Sequence, residues 1–269
     1  MNTLNQSNCE VCPVHNLGNL KKLGINMSEF DFVVALAGNP NTGKSTVFNN
    51  LTGLKQHTGN WPGKTVTRAE GGFEFNQLKF KLVDLPGTYS LLSTSTDEEV
   101  ARDFILFGQP DVTVVVVDAT RLERNLNLTL QILEITERAV VCLNLIDEAE
   151  RHEIKIDERM LSKKLGVPVI PTAARFGKGM EELINAIHEV ATGKFICKPH
   201  RIQSKSSELK FAIEKLSKEI KEEYPEIPNI RWVALRLLEG DQSIIDAIRT
   251  GELGKLNKHS ILQNEIEAV

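Results

Sequence analysis

Between about residue 30 and about residue 195, short apolar runs alternate with longer segments whose apolar residues recur at helical spacing. The runs at 31–37, 78–83, 112–118, 139–144 and 168–171 are nearly continuous in apolar and β-branched residues, the pattern of strands buried on both faces. A shorter run at 73–75, Phe73-Glu74-Phe75, faces Leu78-Lys79-Phe80-Lys81-Leu82 across Asn76-Gln77 and reads as a hairpin, adding one antiparallel edge strand. Helices are predicted over 44–52, 97–107, 122–137, 157–165 and 179–192. Such alternation predicts an α/β fold, a mostly parallel sheet with helices on both faces.

Past Gly193 the strand-like runs stop. Leu209, Ile213, Leu216 and Ile220 keep helical spacing after Ser206, Pro225 and Pro228 interrupt it, and Trp232, Leu235, Leu238, Ile244, Ile245 and Ile248 resume it. Residues 196–269 therefore read as a small all-α domain, 30–195 as the main domain and 1–29 as a polar, weakly patterned arm. The plainer alternative for 196–269 is an extension packed on the main domain.

Composition narrows the function classes. The 269 residues are 41% hydrophobic and 25% charged, as in ordinary soluble globular proteins. A net charge of −4 gives no general attraction to nucleic acid, and none is expected as a partner. No stretch approaches the roughly 18 apolar residues of a membrane span. The N-terminus lacks the pattern of a secretory signal. Cys142, inside Ala139-Val140-Val141-Cys142-Leu143, reads as a small core residue, and nothing demands an oxidising compartment, so the chain is expected in the cytoplasm.

The chemistry starts at Gly38-Asn39-Pro40-Asn41-Thr42-Gly43-Lys44-Ser45, which fits G-x-x-x-x-G-K-[ST]. It follows a predicted strand and opens a predicted helix that continues through Thr46 and ends near Gly53. In that context backbone N–H groups converge on phosphate at a helix N-terminus. Lys44 is expected to reach the β- and γ-phosphates, and the Ser45 hydroxyl to ligate Mg²⁺. Asp84-Leu85-Pro86-Gly87 follows the strand ending at Val83, so Asp84 can hold the Mg²⁺ hydration shell and the Gly87 N–H can meet the γ-phosphate. In Asn144-Leu145-Ile146-Asp147, after another apolar strand, the Asp147 carboxylate can accept from N1–H and the 2-amino group of guanine. Adenine offers neither donor, so GTP and GDP are favoured over adenine nucleotides, and a P-loop kinase or ATPase is disfavoured. Asn144 is expected to reach the base N7 and to brace the phosphate loop.

This order of motifs resembles the Ras-like and translation-factor GTPases. The resemblance implies a fifth loop at Thr172-Ala173-Ala174-Arg175, where the Ala174 N–H meets the guanine O6; Ala173 departs from the usual serine. It also implies a threonine in a mobile loop between the first helix and Asp84. Gly59-Asn60-Trp61-Pro62-Gly63-Lys64-Thr65-Val66 is that loop, with Thr65 and Thr67 both available and Thr65 the expected Mg²⁺ ligand.

Gly59-Asn60-Trp61-Pro62-Gly63, Asp84 through Thr88-Tyr89-Ser90-Leu91, Gly38-Asn39-Pro40-Asn41 and Leu122-Glu123-Arg124-Asn125-Leu126 together closely resemble FeoB, the ferrous iron transport protein B family of prokaryotes. The resemblance covers about 30 to 269. It implies a cytosolic GTP-hydrolysing G domain, a helical domain described as a dissociation inhibitor or spacer, and, as partner, the Fe²⁺-carrying membrane domain of the same full-length protein. The chain is then expected at the cytoplasmic face of the membrane, with self-association into a homo-oligomer left open. Thr88 stands where many Ras-like GTPases carry a glutamine that orients water, so slow hydrolysis is expected. By the same resemblance Asn41 is expected to bind a stimulating K⁺; the alternative is a hydrogen bond within its own loop. Cys9, Cys12 and His15 could offer soft ligands to Zn²⁺ or Fe²⁺ but do not close a tetrahedral site. The rival from another class is a soluble RNA- or ribosome-associated GTPase of the Era type.

Overall fold

A computed structural model describes residues 20–21, 23–53, 56–92, 95–201, 206–225, 227, 229–242 and 244–245; Cys9, Cys12, His15 and Ile248 lie outside them. Strands β1 (Phe32–Gly38), β2 (Gln56–Asn60), β3 (Thr67–Phe75), β4 (Leu78–Asp84), β5 (Val112–Asp118), β6 (Ala139–Asn144) and β7 (Val169–Pro171) form a 7-stranded sheet in the order β2-β3-β4-β1-β5-β6-β7. The pairs β4–β1, β1–β5, β5–β6 and β6–β7 are parallel, while β2–β3 and β3–β4 are antiparallel. The helices are α1 (Lys44–Thr52), α2 (Thr96–Gly108), α3 (Leu122–Ile135), α4 (Ile146–Arg151), α5 (Glu158–Leu165), α6 (Met180–Ala191), α7 (Ser207–Glu223) and α8 (Ile230–Leu238).

The sheet centre follows from the apolar runs. Every residue of β5 and of β6 is buried, as expected of strands covered on both faces. Phe80 stacks between Phe32 and Phe73, at centroid distances of 5.3 and 4.9 Å, and bonds the hairpin to the core. The hairpin turn places Asn76 and Gln77 at φ 51° and 65°, the left-handed pair whose twist matches its flanking strands. Ser95, Asp157 and Ser206 cap α2, α5 and α7 by accepting from the third N–H beyond them.

The antiparallel part is larger than the sequence suggests. β3 extends back to Thr67, and β2 lies outside it in the segment expected to be loop. Gln56-His57-Thr58-Gly59-Asn60 has no apolar alternation, so only pairing with β3 makes it a strand. The charged β3 residue Glu70 is accommodated by ion pairs to Arg68 at 2.7 Å and Lys81 at 2.6 Å.

After Gly193, α7 and α8 pack on each other and on the sheet domain. α7 buries Ile213 and Ile220, while Leu209 stays 37% exposed. α8 buries Trp232, Val233 and Ala234, and Leu238 is exposed where the spacing predicted a core position. Asn229 closes the join: its Nδ2 donates to the Glu134 and Ile135 carbonyls at 2.7 and 2.8 Å, capping the C-terminus of α3. Among the described residues no helix is long and apolar enough to cross a membrane.

Candidate functional site

The parallel strands deliver their C-terminal ends to one edge of the sheet, where open α/β sheets bind ligands. The register sets which residues meet there. Leu36 lies opposite Asp84, Gly38 opposite Val116, and Asp118 opposite Asn144.

Between β1 and α1 the chain turns with Asn41 at φ 66° and Gly43 at φ 81°. Asparagine tolerates that conformation and glycine is free in it. A Cβ at Gly43 would collide with Asn144 Nδ2, and one at Gly38 would lie 2.6 Å from the Val116 carbonyl, so both glycines are required by close backbone approach. The turn is pinned by the Thr42 hydroxyl donating to the Asn39 carbonyl at 3.0 Å. α1 begins with no side-chain cap and no acidic residue in its first turn. Its free N–H groups and the positive end of its dipole face outward beside the exposed Ser45 and Thr46 hydroxyls, an arrangement that receives an anion.

Lys44 is paired with Asp84 and donates to the Leu85 carbonyl at 2.7 Å. Burial pushes the Asp84 carboxyl above its ordinary range, more strongly than Lys44 draws it down. This carboxylate is therefore costly to keep ionised, and a cation beside it lowers that cost. Beyond it the Leu85 N–H donates to the Leu36 carbonyl at 2.9 Å and the Thr88 N–H to the Gly38 carbonyl at 3.3 Å. The segment holding Pro86 and Gly87 is thus drawn over the loop, and a Cβ on Gly87 would rest 3.5 Å from the Pro40 backbone. Thr88 is buried.

The loop with Gly63, Lys64, Thr65, Val66 and Thr67 is held away from the phosphate loop's own bonds. Trp61 donates to the Val66 carbonyl and Lys64 to the Trp61 carbonyl, each at 3.0 Å, and Lys64 pairs with Glu99 on α2. Trp61 is buried edge-on against Phe104 with centroids 5.3 Å apart. Thr65 and Thr67 are exposed, and no hydrogen bond among the described residues joins Thr65 to Ser45 or Asp84.

Asn144 is 1% exposed and joins the remaining loops. Its Nδ2 donates to the Thr42 carbonyl at 2.9 Å, and its Oδ1 accepts from the Ala174 N–H at 3.0 Å and from the Thr172 hydroxyl at 3.2 Å. The bracing role expected of Asn144 is thus visible, while the Ala174 N–H, expected to face a base oxygen, is here bonded to Asn144. Asn50 on α1 also donates to the Ala174 carbonyl, at 2.9 Å. Leu145 takes φ 62°, which turns the chain into α4 and leaves Ile146 buried and Asp147 beside it near the helix start, 3.2 Å from Arg151. Ala173 is buried and bridges to Lys178. Beneath these loops Cys142 lies 3.2 Å from the Thr172 hydroxyl, its thiol pushed up to about 12 by burial. It is a core residue, as the sequence indicated.

Sequence reasoning missed two features. The Asn39 side chain, treated as an unspecified motif position, is 3% exposed with its Nδ2 unpartnered. Arg124, noted only as part of a family pattern, lies 4.5 Å over the ring of Tyr89. Neither had a local signal, since both depend on β1, β5 and the Asp84 segment converging.

The fold and this loop constellation define a P-loop GTPase-type G domain followed by a helical unit. Residues 32–187 match the family described as Ferrous iron transport protein B, and residues 206–269 match the FeoB cytosolic helical domain. The chain belongs to the FeoB family. The Fe(2+) transporters FeoB of Salmonella typhimurium and Escherichia coli K12 are 43% and 44% identical to it over 212 residues, 77% of this chain. The chain spans 27% of the length of those relatives. The crystal structure of the cytosolic domain of T. maritima FeoB in a GDP form matches with TM-score 0.74 and 39% identity, over 84% of this chain and 86% of that one. The cytosolic domain of L. pneumophila FeoB matches with TM-score 0.74 and 34% identity, over 85% and 90%. The FeoB G-domain from Methanococcus jannaschii matches with TM-score 0.54 and 48% identity, over 61% and 99%. Family membership sets aside the Era-type alternative.

Proposed function

We propose that this chain binds GTP and GDP with Mg²⁺, hydrolyses GTP slowly, and is stimulated by K⁺, as the cytosolic regulatory part of an Fe²⁺ transporter. The G domain would extend to about 195 and the helical domain from about 196. The observation that carries the nucleotide assignment is the uncapped α1 N-terminus, flanked by Lys44 and Asp84 and tied by Asn144 to the loop at Thr172–Ala174. The N–H groups of Gly43 to Thr46 would hold the phosphates, and Lys44 would leave Asp84 for their oxygens. Asp147 would select guanine by accepting from its ring N–H and amino group.

The oxygen donors Ser45, Thr65 and Asp84 suit Mg²⁺, and the raised Asp84 carboxyl fits a site completed by a cation. Asn41 offers an exposed carboxamide that makes no hydrogen bond among the described residues, which favours ion binding over a bond within its own loop. Bound Mg²⁺ and K⁺ supply positive charge against the phosphate oxygens. Thr65 would have to leave the turn held by Lys64 and Trp61 to join them, so γ-phosphate binding would be coupled to movement of this loop. Thr88, buried and lacking an amide, leaves water unassisted by a side chain at that position, consistent with slow turnover.

The test is binding and hydrolysis by the full chain. GDP is expected to be displaced by GTP and not by ATP, and hydrolysis to be faster in K⁺ than in Na⁺, the difference vanishing in Asn41→Ala. Equal displacement by ATP would overturn the guanine assignment, and equal rates in the two salts would overturn the K⁺ role. For transport, the corresponding measurement is Fe²⁺ uptake by the full-length protein carrying Lys44→Ala, expected to fall.

A further inference from the structure

A cavity of about 340 Å³ lies along the flank of the phosphate loop, between residues 39–42 and the start of α3. Its wall is formed by Asn39 to Thr42 and does not include Lys44, Ser45 or Asp147, so it is separate from the groups assigned to nucleotide. Water occupies about 30 Å³ per molecule in the liquid, so the space admits a small polyatomic ion with some hydration.

The polar groups in this cavity are unequally committed. Asp118 accepts from the Thr120 N–H at 2.8 Å and the Thr120 hydroxyl at 2.7 Å, capping the turn that leads into α3. Glu148 is paired with Arg151 at 3.7 Å. The donors are freer. The guanidinium of Arg121 makes no hydrogen bond or ion pair among the described residues, and that of Arg124 has only the Tyr89 face. The Asn39 carboxamide lines the cavity at 3% residue exposure, and its buried Nδ2 has no acceptor. A donor so buried and unpaired costs about 1–3 kcal/mol, which an acceptor in the cavity would recover. The 14-residue α3 begins here without a side-chain cap at Arg121, adding the positive end of its dipole.

We propose that this cavity is an anion site distinct from the nucleotide site, taking an oxyanion of the phosphate class. Arg121 and Arg124 supply charge-assisted donors from α3 and its leading turn, and Asn39 supplies a neutral donor from the phosphate loop. Tyr89 lies a short distance along the chain from Gly87, so an oxyanion drawing Arg124 off the Tyr89 ring would alter the segment assigned to the γ-phosphate. That consequence rests on the nucleotide assignment; the site itself does not.

The experiment is calorimetric titration of inorganic phosphate into the full chain saturated with GDP, at ionic strength held constant with chloride. GDP fills the phosphate loop, so the remaining site is read alone. One phosphate per chain is expected, with binding weakened about 100-fold in Arg121→Ala/Arg124→Ala, a factor of about ten for each lost charged contact. GDP affinity should stay within about twofold, a few tenths of a kcal/mol. Both arginines are exposed, so the variant should fold, which circular dichroism checks. Wild-type phosphate binding by the double variant overturns the proposal, because the ion then lies elsewhere, as does the absence of binding by the parent chain. A parallel titration of nucleotide-free Lys44→Ala separates the two assignments. Phosphate binding that persists there and is lost on adding Arg121→Ala/Arg124→Ala supports the cavity even if GDP fails to bind; binding lost with Lys44→Ala alone assigns the ion to the nucleotide loop and overturns it.

Discussion

Replacing Asn144 by alanine separates the structural role of this side chain from base recognition, because its hydrogen bonds exist in the nucleotide-free protein. The substitution removes the partner of the Thr42 carbonyl and of the Ala174 N–H, both in a region where Asn144 is 1% exposed. Thr172 loses one contact but keeps Cys142 at 3.2 Å. Each orphaned backbone group costs about 1–3 kcal/mol if it stays dry, so the expected loss is about 2–5 kcal/mol. Asn144→Asp sharpens the test. It retains acceptors for the Ala174 N–H and Thr172 hydroxyl but turns an oxygen toward the Thr42 carbonyl, so it should lose stability through that contact alone. The assay is urea unfolding of nucleotide-free protein followed by circular dichroism. A loss below about 0.5 kcal/mol for Asn144→Ala, the scale of a surface substitution, would refute the bracing role. Nucleotide affinity measured on the same variants would then fall even for phosphate-containing ligands without a guanine base, since the brace shapes the phosphate loop itself.

Gly43→Ala combines φ 81° with a collision at Asn144 Nδ2, so it should cost more than the about 1–2 kcal/mol of left-handed strain alone and abolish GDP binding; unchanged affinity by fluorescence titration would refute this. Gln77→Gly relieves left-handed strain at φ 65° in the hairpin turn and should raise stability by up to about 1 kcal/mol in urea unfolding, with no gain counting against the turn assignment. Burial raises the Asp111 carboxyl while its Oδ2 accepts from the Val33 N–H at 2.8 Å. A raised folded value gives stability that is present below the unfolded value of about 3.9 and lost as pH rises through the folded one. Asp111→Asn keeps an acceptor and removes the charge, so parent minus variant stability should fall from about pH 4 upward and then level; a difference that rises with pH would reverse the sign and refute it.

The legible parts of this chain are those where one local requirement dominates. The runs at β1, β5 and β6 are buried on both faces and can be little else than interior strands, and the glycines of the phosphate loop announce a backbone that must pass close to its neighbours. β2 was not legible because Gln56–Asn60 has no apolar pattern and owes its conformation to β3, and α4 was not because six residues carry too little periodicity. The site divides in the same way. Lys44, Asp84 and Asn144 each sit at a motif position whose chemistry is fixed by spacing. What the motifs do not encode is how those groups are engaged before any ligand arrives: Lys44 on Asp84, the Ala174 N–H on Asn144, the Thr65 loop fastened through Lys64 to α2. Nucleotide must therefore exchange existing bonds for new ones, and its affinity reflects the difference between the two sets. Weakening the Lys64–Glu99 pair should accordingly release the Thr65 loop and favour a GTP analogue over GDP, since only the γ-phosphate draws on that loop. Glu99→Gln tests this directly, and an unchanged ratio of the two affinities would show that the pair does not hold the loop back.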